Sequence, residues 1–243
     1  INPCLVSEDV VLDGYMEESF WKDAINVPSK PAAGGGQVTI KVKVIQSGIY
    51  VGVYVEDSNI VAEPRGFLNN YGINCNDCID VRLVPSTEYD NTSLITPATK
   101  ARTDGKIIQF DPTGAAYMGM LHPVGINRVM MSNPLKYGVT VNGTIGHSAT
   151  DGNWSSANNA FVADTDIDDT DTGWGIEMFV PWTTLNLTAP AEGSTVDFAV
   201  LVTVYDRGAT IDGASWTSSC QDDSGSVATN TNPGTYYRIS KQF

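Results

Sequence analysis

GWGIEMFVPWTTLNL, residues 173 to 187, carries a clear strand pattern that ends at a proline. Apolar residues at every second position from Trp174 to Val180 alternate with a second set that includes Glu177, and this period of two is typical of a β-strand. Pro181 lacks a backbone N–H, so it predicts the point at which pairing with a neighbouring strand stops. Beyond it we expect a short loop, with Trp182 packed in the core rather than presented as a binding platform. The stretch predicts a strand and a structural corner.

Segments with the same alternation occupy much of the remaining chain. They are residues 37–46, 48–57, 78–85, 105–111, 137–145, 196–206, 213–218 and 235–240. The first two predict a hairpin joined through Ser47-Gly48, and the best helix-like segment, residues 16–24, amounts to one or two turns. With residues 173–181 these make nine strands separated by polar turns, which predicts two packed antiparallel sheets. Because neither a repeat nor a linker interrupts them, we expect one domain over residues 1–243.

The charge balance restricts the partners. The 243 residues include 28 acidic and 14 basic side chains, a formal net charge of −14. Nucleic acids and anionic membrane surfaces bind clustered Lys and Arg, so both are excluded as partners. No stretch approaches the ~18 apolar residues of a membrane helix, which predicts no membrane insertion. The polar, turn-rich composition is typical of an extracellular β-protein, and the acidity suits either calcium binding or plain solubility.

The cysteines predict disulfides rather than a metal site. The chain has four, and the motif Cys-Asn-Asp-Cys at positions 75–78 has no second copy. With only two histidines a zinc site is improbable, and no helix start follows the motif as in thioredoxin-like proteins. We therefore expect two structural disulfides among Cys4, Cys75, Cys78 and Cys220.

A run of aspartates lies in the long loop of residues 148–172. The segment ADTDIDDTDTG places carboxylates at Asp164, Asp166 and Asp168, with further aspartates at 169 and 171. It resembles the start of an EF-hand loop but lacks that loop's glycine and distal glutamate. A solvated loop and a weak calcium site both remain open.

Three segments together resemble the family 9 carbohydrate-binding modules and related sandwich domains, some of which bind haem. The segments are VVLDGYMEESFWKDA (10–24), IYVGVYVED with NDCIDVRLVP (49–57 and 76–85), and GWGIEMFVPW continuing to VYDRG (173–208). In the first, the matching positions are Asp13, Gly14, Glu17 and Trp21. The likeness covers nearly the whole chain except about residues 112–170. It implies a β-sandwich of jelly-roll type, in which the Pro181-Trp182 corner is part of the shared fold.

The same resemblance implies a sugar-binding face. Family members clamp a terminal sugar between two tryptophans, but the corresponding stretches here, YGINCNDC and TSSCQDDSGSVATN, contain none. Tyr71 or Trp216 remain as stacking platforms. Asp80 matches a carboxylate that contacts sugar hydroxyls in the family, and alternation places Arg82 and Gln109 beside it on the outward face. This patch suits bidentate hydrogen bonds to vicinal hydroxyls, and a cross-strand ion pair on a solvated sheet is the alternative.

A disulfide pairing also follows from the resemblance. It brings the neighbourhoods of Cys75, Cys78 and Cys220 together. The implied bond joins Cys220 to Cys75 or Cys78, and Cys4 forms the second disulfide with the cysteine of that pair that remains. Such a bond would occupy the space of the tryptophan clamp.

Structural calcium is common in the family, so the resemblance implies a metal site as well. The matching carboxylates are Asp57 and Asp206 at strand ends and Asp77 before the next strand. They are the candidate calcium ligands, together with the run at 164–171.

The motifs needed for catalysis are missing. There is no GxSxG, no HExxH, and the adjacent pair Asp222 and Asp223 does not suit the carboxyl separation of a glycosidase. We therefore expect a non-catalytic carbohydrate-binding or adhesion module of a secreted multidomain protein, with a polysaccharide or glycan as partner.

Two alternatives stay open. The segment AAYMGMLHPVG offers Met118, Met120 and His122 as axial ligands of a b-type haem, although methionine in a sandwich is more often core filler. The second alternative is a structural subunit that makes protein–protein contacts.

Overall fold

The computed structural model describes those parts of the chain that build its sheets. The described residues are 4–7, 10–32, 36–60, 62, 77–85, 105–122, 125–127, 135–145, 171–206, 216–218 and 237–243.

These residues form fourteen strands and two short 3₁₀ helices. The strands are β1 (Cys4–Ser7), β2 (Val10–Leu12), β3 (Ile25–Asn26), β4 (Val38–Ile45), β5 (Gly48–Val55), β6 (Cys78–Val84), β7 (Lys106–Phe110), β8 (Ala116–His122), β9 (Gly125–Asn127), β10 (Lys136–Asn142), β11 (Gly173–Pro181), β12 (Thr195–Tyr205), β13 (Trp216–Ser218) and β14 (Tyr237–Gln242). The 3₁₀ helices are Ser19–Asp23 and Trp182–Leu185.

All strand pairs are antiparallel and build two main sheets. The five-stranded sheet has the order β10-β11-β5-β4-β3. The seven-stranded sheet has the order β13-β12-β6-β7-β8-β9, and β14 pairs with the first half of β12. A separate β1-β2 hairpin lies beside β10. The predicted all-β sandwich of antiparallel sheets is confirmed.

Alternation along the central strands decides which side chains fill the space between the sheets. The apolar set from Trp174 to Val180 on β11 and the residues Ile79, Val81 and Leu83 of β6 belong to one core. All of them are fully buried. Burying each large apolar side chain contributes roughly 1.5–3 kcal/mol, so this core is the main source of stability.

A second, smaller core covers the outer face of the five-stranded sheet. Strand β2 and the 3₁₀ helix Ser19–Asp23 pack there against side chains that point away from the main core. Its members are Val10, Leu12, Met16, Trp21, Tyr50 and Phe179.

Glu177 lies beneath this N-terminal segment and is fully buried. Its Oε2 accepts hydrogen bonds from the N–H groups of Asp13 (2.8 Å) and Gly14 (2.9 Å). Its Oε1 accepts from the N–H of Met16 (3.0 Å) and from Nε1 of Trp21 (2.6 Å). One carboxylate on β11 therefore holds the whole turn that leads from β2 into the first 3₁₀ helix.

The corner at Pro181 is structural, as predicted. Pro181 ends β11, and the 3₁₀ helix that follows stops at Asn186, whose backbone is left-handed (φ 58°). Trp182 is buried, and its Nε1 donates to the carbonyls of Ile45 (3.2 Å) and Gln46 (3.1 Å). The indole therefore ties the corner to the β4-β5 turn and is not a binding platform.

Several expectations about single elements need correction. The β4-β5 turn is Gln46-Ser47, and Gly48 already belongs to β5. The helix-like segment 16–24 contains only the five-residue 3₁₀ helix. The segment of residues 116–122, for which no strand was predicted, is β8 and pairs with β7. Its strand signal is weak because Ala116 and Gly119 are poor strand formers.

Candidate functional site

Asp80, Arg82 and Gln109, here called the polar cluster, meet on β6 and β7. Asp80 lies opposite Gln109 in the strand register, and Thr203 of β12 lies opposite Asp80 on its other side. Gln109 Nε2 donates to Asp80 Oδ2 at 3.2 Å. Arg82 donates through Nε to Oδ1 and through Nη2 to Oδ2, each at 3.3 Å. The predicted grouping of these three side chains is therefore confirmed.

The prediction that this patch is solvated is wrong. Asp80 is 0% exposed, Gln109 5% and Arg82 7%, and Val84 and Ile107 on the same face are also fully buried. Alternation shows which face of a sheet a side chain occupies, but it does not show whether that face is covered. The alternative of an ion pair on a solvated sheet fails for the same reason, since this ion pair is buried.

A second group, here called the aspartate cluster, contains Asp57, Asp77 and Asp206. Asp57 follows β5 of one sheet, while Asp77 precedes β6 and Asp206 follows β12 of the other. Each offers a carboxylate oxygen, and these atoms all lie within 4.8 Å of one another. The sequence separations are large, and the fold brings the three together as the family resemblance implied.

The chemistry of the aspartate cluster fits a hard cation. Asp77 and Asp206 are buried. The pKa of Asp57 is raised to about 7, first by burial and then by the negative charge of Asp206, while the N–H of Asn59 acts to lower it and the charge of Asp171 adds a smaller increase. Asp57 Oδ2 is buried and accepts no hydrogen bond from the part of the chain that the structure describes. Close carboxylates repel one another unless a proton or a cation lies between them, and calcium takes six to eight oxygen ligands.

Asp171, the last residue of the acidic run, has a structural role that the sequence did not indicate. Its Oδ2 accepts from the N–H of Ile60 and its Oδ1 from the N–H of Thr144, both at 2.8 Å. The carboxylate joins the chain after β5 to the chain after β10. The other candidates of the run, Asp164, Asp166 and Asp168, lie outside the described residues.

The remaining site predictions are only partly covered by the structure. Cys78 is fully buried at the start of β6. Cys75 and Cys220 lie outside the described residues, and only the backbone of Cys4 is described, so the disulfide pairing stays a prediction. Tyr71 also lies outside them. Trp216 begins β13 opposite Tyr205, two positions along β12 from Thr203.

Comparison with known proteins gives a fold and no close relative. No protein-family model matches the sequence, and no curated protein matches it significantly. A family 9 carbohydrate-binding module from Caldicellulosiruptor kristjanssonii in complex with glucose is similar in structure, with a TM-score of 0.51 and 14% identity, over 100% of this chain and 96% of that chain. The chain has the fold of a family 9 carbohydrate-binding module.

Two further structures agree with this family 9 fold. The module from the same organism in complex with cellotriose has a TM-score of 0.50 at 12% identity, covering 96% of this chain and 89% of that one. A Bacteroides uniformis protein with a provisional carbohydrate-binding assignment has a TM-score of 0.52 at 10% identity, covering 90% and 85%. The resemblance stated from the sequence is therefore confirmed for the fold.

The haem alternative gains no support from the described part of this family 9 fold. Met118, which it proposed as an axial ligand, is buried in the main core and lies opposite Ile108 of β7. The side chains of Met120 and His122 are outside the description. Among the proposed haem ligands, the one whose side chain is described, Met118, therefore serves as core filler.

Within the described residues, no helix combines the length and apolar character needed to cross a membrane.

Proposed function

We propose that this protein is a non-catalytic carbohydrate-binding module whose ligand is a neutral glycan. The observation that supports this most is the fold, which matches glucose- and cellotriose-bound family 9 modules over nearly the full length of the chain. The formal net charge of −14 favours neutral over anionic polysaccharides, because like charges repel. The module belongs to a secreted or cell-surface protein with other domains.

The polar cluster is the first candidate for contacts to sugar hydroxyls on the seven-stranded sheet. Its carboxylate, guanidinium and amide offer donors and acceptors in one place, which is the chemistry that vicinal hydroxyls require. Tyr71 and Trp216 are the proposed stacking platforms. Because the cluster is buried, sugar contact there requires this face to open, and we therefore expect weak binding.

Affinity electrophoresis tests the proposed function. A protein with 14 excess negative charges migrates rapidly in a native gel. We expect a gel containing a soluble β-glucan, such as hydroxyethyl cellulose, to retard it relative to a reference protein. Heparin in the gel serves as the anionic control and should not retard it. Unchanged mobility across a panel of neutral polysaccharides would contradict the proposal.

We also propose that the aspartate cluster binds calcium. Three carboxylates supply up to six oxygens, and a cation would satisfy the buried Asp57 Oδ2 while relieving the repulsion among the three groups. The cluster connects the end of β5 with the start of β6 and the end of β12. Cys78, the first residue of β6, is two residues from Asp80 in the polar cluster. Calcium would therefore fix the strand ends next to the polar cluster.

Removal of calcium is expected to lower the melting temperature. A ligand at a hundredfold excess over its Kd stabilises the folded state by about 2.7 kcal/mol, which corresponds to roughly 5–10 °C for a chain of this size. The measurement compares thermal melts after exhaustive chelation and after calcium is restored. Asp206→Asn should lose most of this response, and the exposed Asp197→Asn should keep it. An unchanged melting temperature after chelation would be evidence against the site.

A further inference from the structure

Tyr15 stands out on the five-stranded sheet, on the side of the molecule away from the polar cluster. It is 41% exposed and is the only large hydrophobic or aromatic side chain that is exposed in the described part of the chain. A side chain of this kind contributes an apolar face together with a polar end. Tyr15 therefore combines an exposed aromatic surface with a polar end.

The backbone around Tyr15 is fixed on both sides. Its own N–H donates to Asp13 Oδ1 at 3.0 Å, and the N–H groups of Gly14 and Met16 both donate to the buried Glu177. Gly14 has a left-handed backbone (φ 97°), and a Cβ there would lie 2.5 Å from the backbone N of Thr140. The turn thus sits directly on β10, and Tyr15 is held in its exposed position by the structure.

A chain of hydrogen bonds links Tyr15 to a second tyrosine. The Tyr15 hydroxyl donates to Asn142 Oδ1 at 2.8 Å, and Asn142 Nδ2 donates to the Tyr54 hydroxyl at 3.0 Å. The half-buried Tyr54 ring lies against the backbone of β11, because a Cβ on Gly175 would come within 2.8 Å of it and one on Gly173 within 2.9 Å of its hydroxyl. Tyr15, Asn142 and Tyr54 are together called the tyrosine platform.

The surroundings of the tyrosine platform favour a neutral ligand. The nearby carboxylates include those of Asp13, Asp171 and the buried Glu177, and they disfavour an anion. One ammonium also contacts the turn, since Lys41 Nζ donates to the carbonyl of Met16 at 3.4 Å. A protein partner would need a broader set of aromatic and apolar side chains than one exposed tyrosine. A pyranose ring needs only one aromatic face for its C–H groups and a few fixed hydroxyl or amide partners.

We propose that the tyrosine platform is a second glycan-binding surface, which stacks a sugar residue on Tyr15 and bonds its hydroxyls to Asn142 and the Tyr54 hydroxyl. Tyr15 is the exposed residue between the buried Gly14 and Met16, and the ligand we propose for it is one sugar residue of a neutral glycan chain. This inference rests on the proposed function and adds a site on the opposite sheet.

Amide chemical shifts during a titration with cellohexaose test the proposal. The expected result is a set of shifts at Tyr15, Asn142 and Thr172, separate from any at Asp80 and Gln109. The affinity is read from the shifts at Tyr15, Asn142 and Thr172. Tyr15→Ala should weaken it on the order of tenfold, and Tyr15→Phe should weaken it less. Tyr237→Phe on the other sheet is the matched control and should change neither set.

Each outcome decides between the two proposals. Shifts at Asp80 and Gln109 alone, or an affinity at the platform that Tyr15→Ala leaves unchanged, would overturn the second surface while the module remains a glycan binder. Shifts at the platform alone would support it and remove the polar cluster as a contact site. No shifts anywhere, with this or other neutral glycans, would overturn both. Because Tyr15 is exposed, thermal melts should show that the variants fold.

Discussion

Replacing Glu177 with alanine is expected to lower the free energy of unfolding by about 4 kcal/mol, since four N–H donors lose their shared acceptor and each unpaired buried donor costs ~1–3 kcal/mol. The donors are the backbone N–H groups of Asp13, Gly14 and Met16 and the indole of Trp21. The second core then loses its attachment to β11. Urea unfolding followed by tryptophan fluorescence measures the loss.

The matched control is Glu56→Ala. Glu56 is exposed and accepts one long hydrogen bond, from the N–H of Gln37 at 3.3 Å. Surface changes of this kind usually stay within about 0.5 kcal/mol. A loss below ~1 kcal/mol for Glu177→Ala would show that the N-terminal turn does not depend on this carboxylate.

The pH dependence of the same site gives a second readout. The pKa of Glu177 is raised to about 7, mainly by burial and to a smaller extent by the neighbouring Glu18, against the lowering effect of the hydrogen bonds from Gly14, Asp13 and Trp21. A raised carboxyl pKa means that the folded state binds the proton more tightly, so its contribution to stability is present below pH ~4.5 and is lost as the pH rises through about 7. Relative to Glu177→Gln, the wild-type protein should lose stability across that window.

Asp80→Ala is expected to cost about 3–5 kcal/mol, because it removes one partner of a buried ion pair. Arg82 is 7% exposed and would lose its hydrogen-bonded carboxylate in a covered face of the sheet. The double variant Asp80→Ala with Arg82→Met should recover most of this loss, since it removes the guanidinium as well. Denaturant unfolding of the single and double variants measures the coupling.

The surface ion pair of Lys43 and Asp23 provides the control for the comparison of the Asp80 and Arg82 variants. The Asp23 side chain is 78% exposed, and exposed ion pairs contribute about 0–1 kcal/mol. Asp23→Ala should therefore cost far less than Asp80→Ala. Equal losses at the two positions would mean that the polar cluster is not buried as described.

Much of the fold could be predicted because alternation is a local property. The residues from Trp174 to Val180 and the β4-β5 hairpin follow a period of two that the structure reproduces. Strand β8 escaped prediction because Ala116 and Gly119 within it carry little strand preference. The burial of Asp80 also escaped it, because the covering of a sheet face depends on parts of the chain far away in sequence.

The sites depend on distant residues and were less predictable. Asp57, Asp77 and Asp206 could be grouped only through the family resemblance, since no spacing rule connects them. Glu177 carried a usable signal, because a glutamate within an otherwise apolar strand needs buried hydrogen-bond donors. The tyrosine platform carried none, because its members come from three separate strands and turns and meet only in the folded chain.

Calorimetric titration with cellotriose, in a buffer that contains calcium, tests whether this fold binds a neutral glycan. Without the two clamping tryptophans, each worth about 1–3 kcal/mol by analogy with stacking on bases, affinity should fall from the micromolar to the millimolar range. We therefore expect a small but saturable heat with a Kd near 1 mM, and none with heparin. The absence of any heat with cellotriose, glucose or other neutral glycans at millimolar concentrations would contradict the assignment as a carbohydrate-binding module.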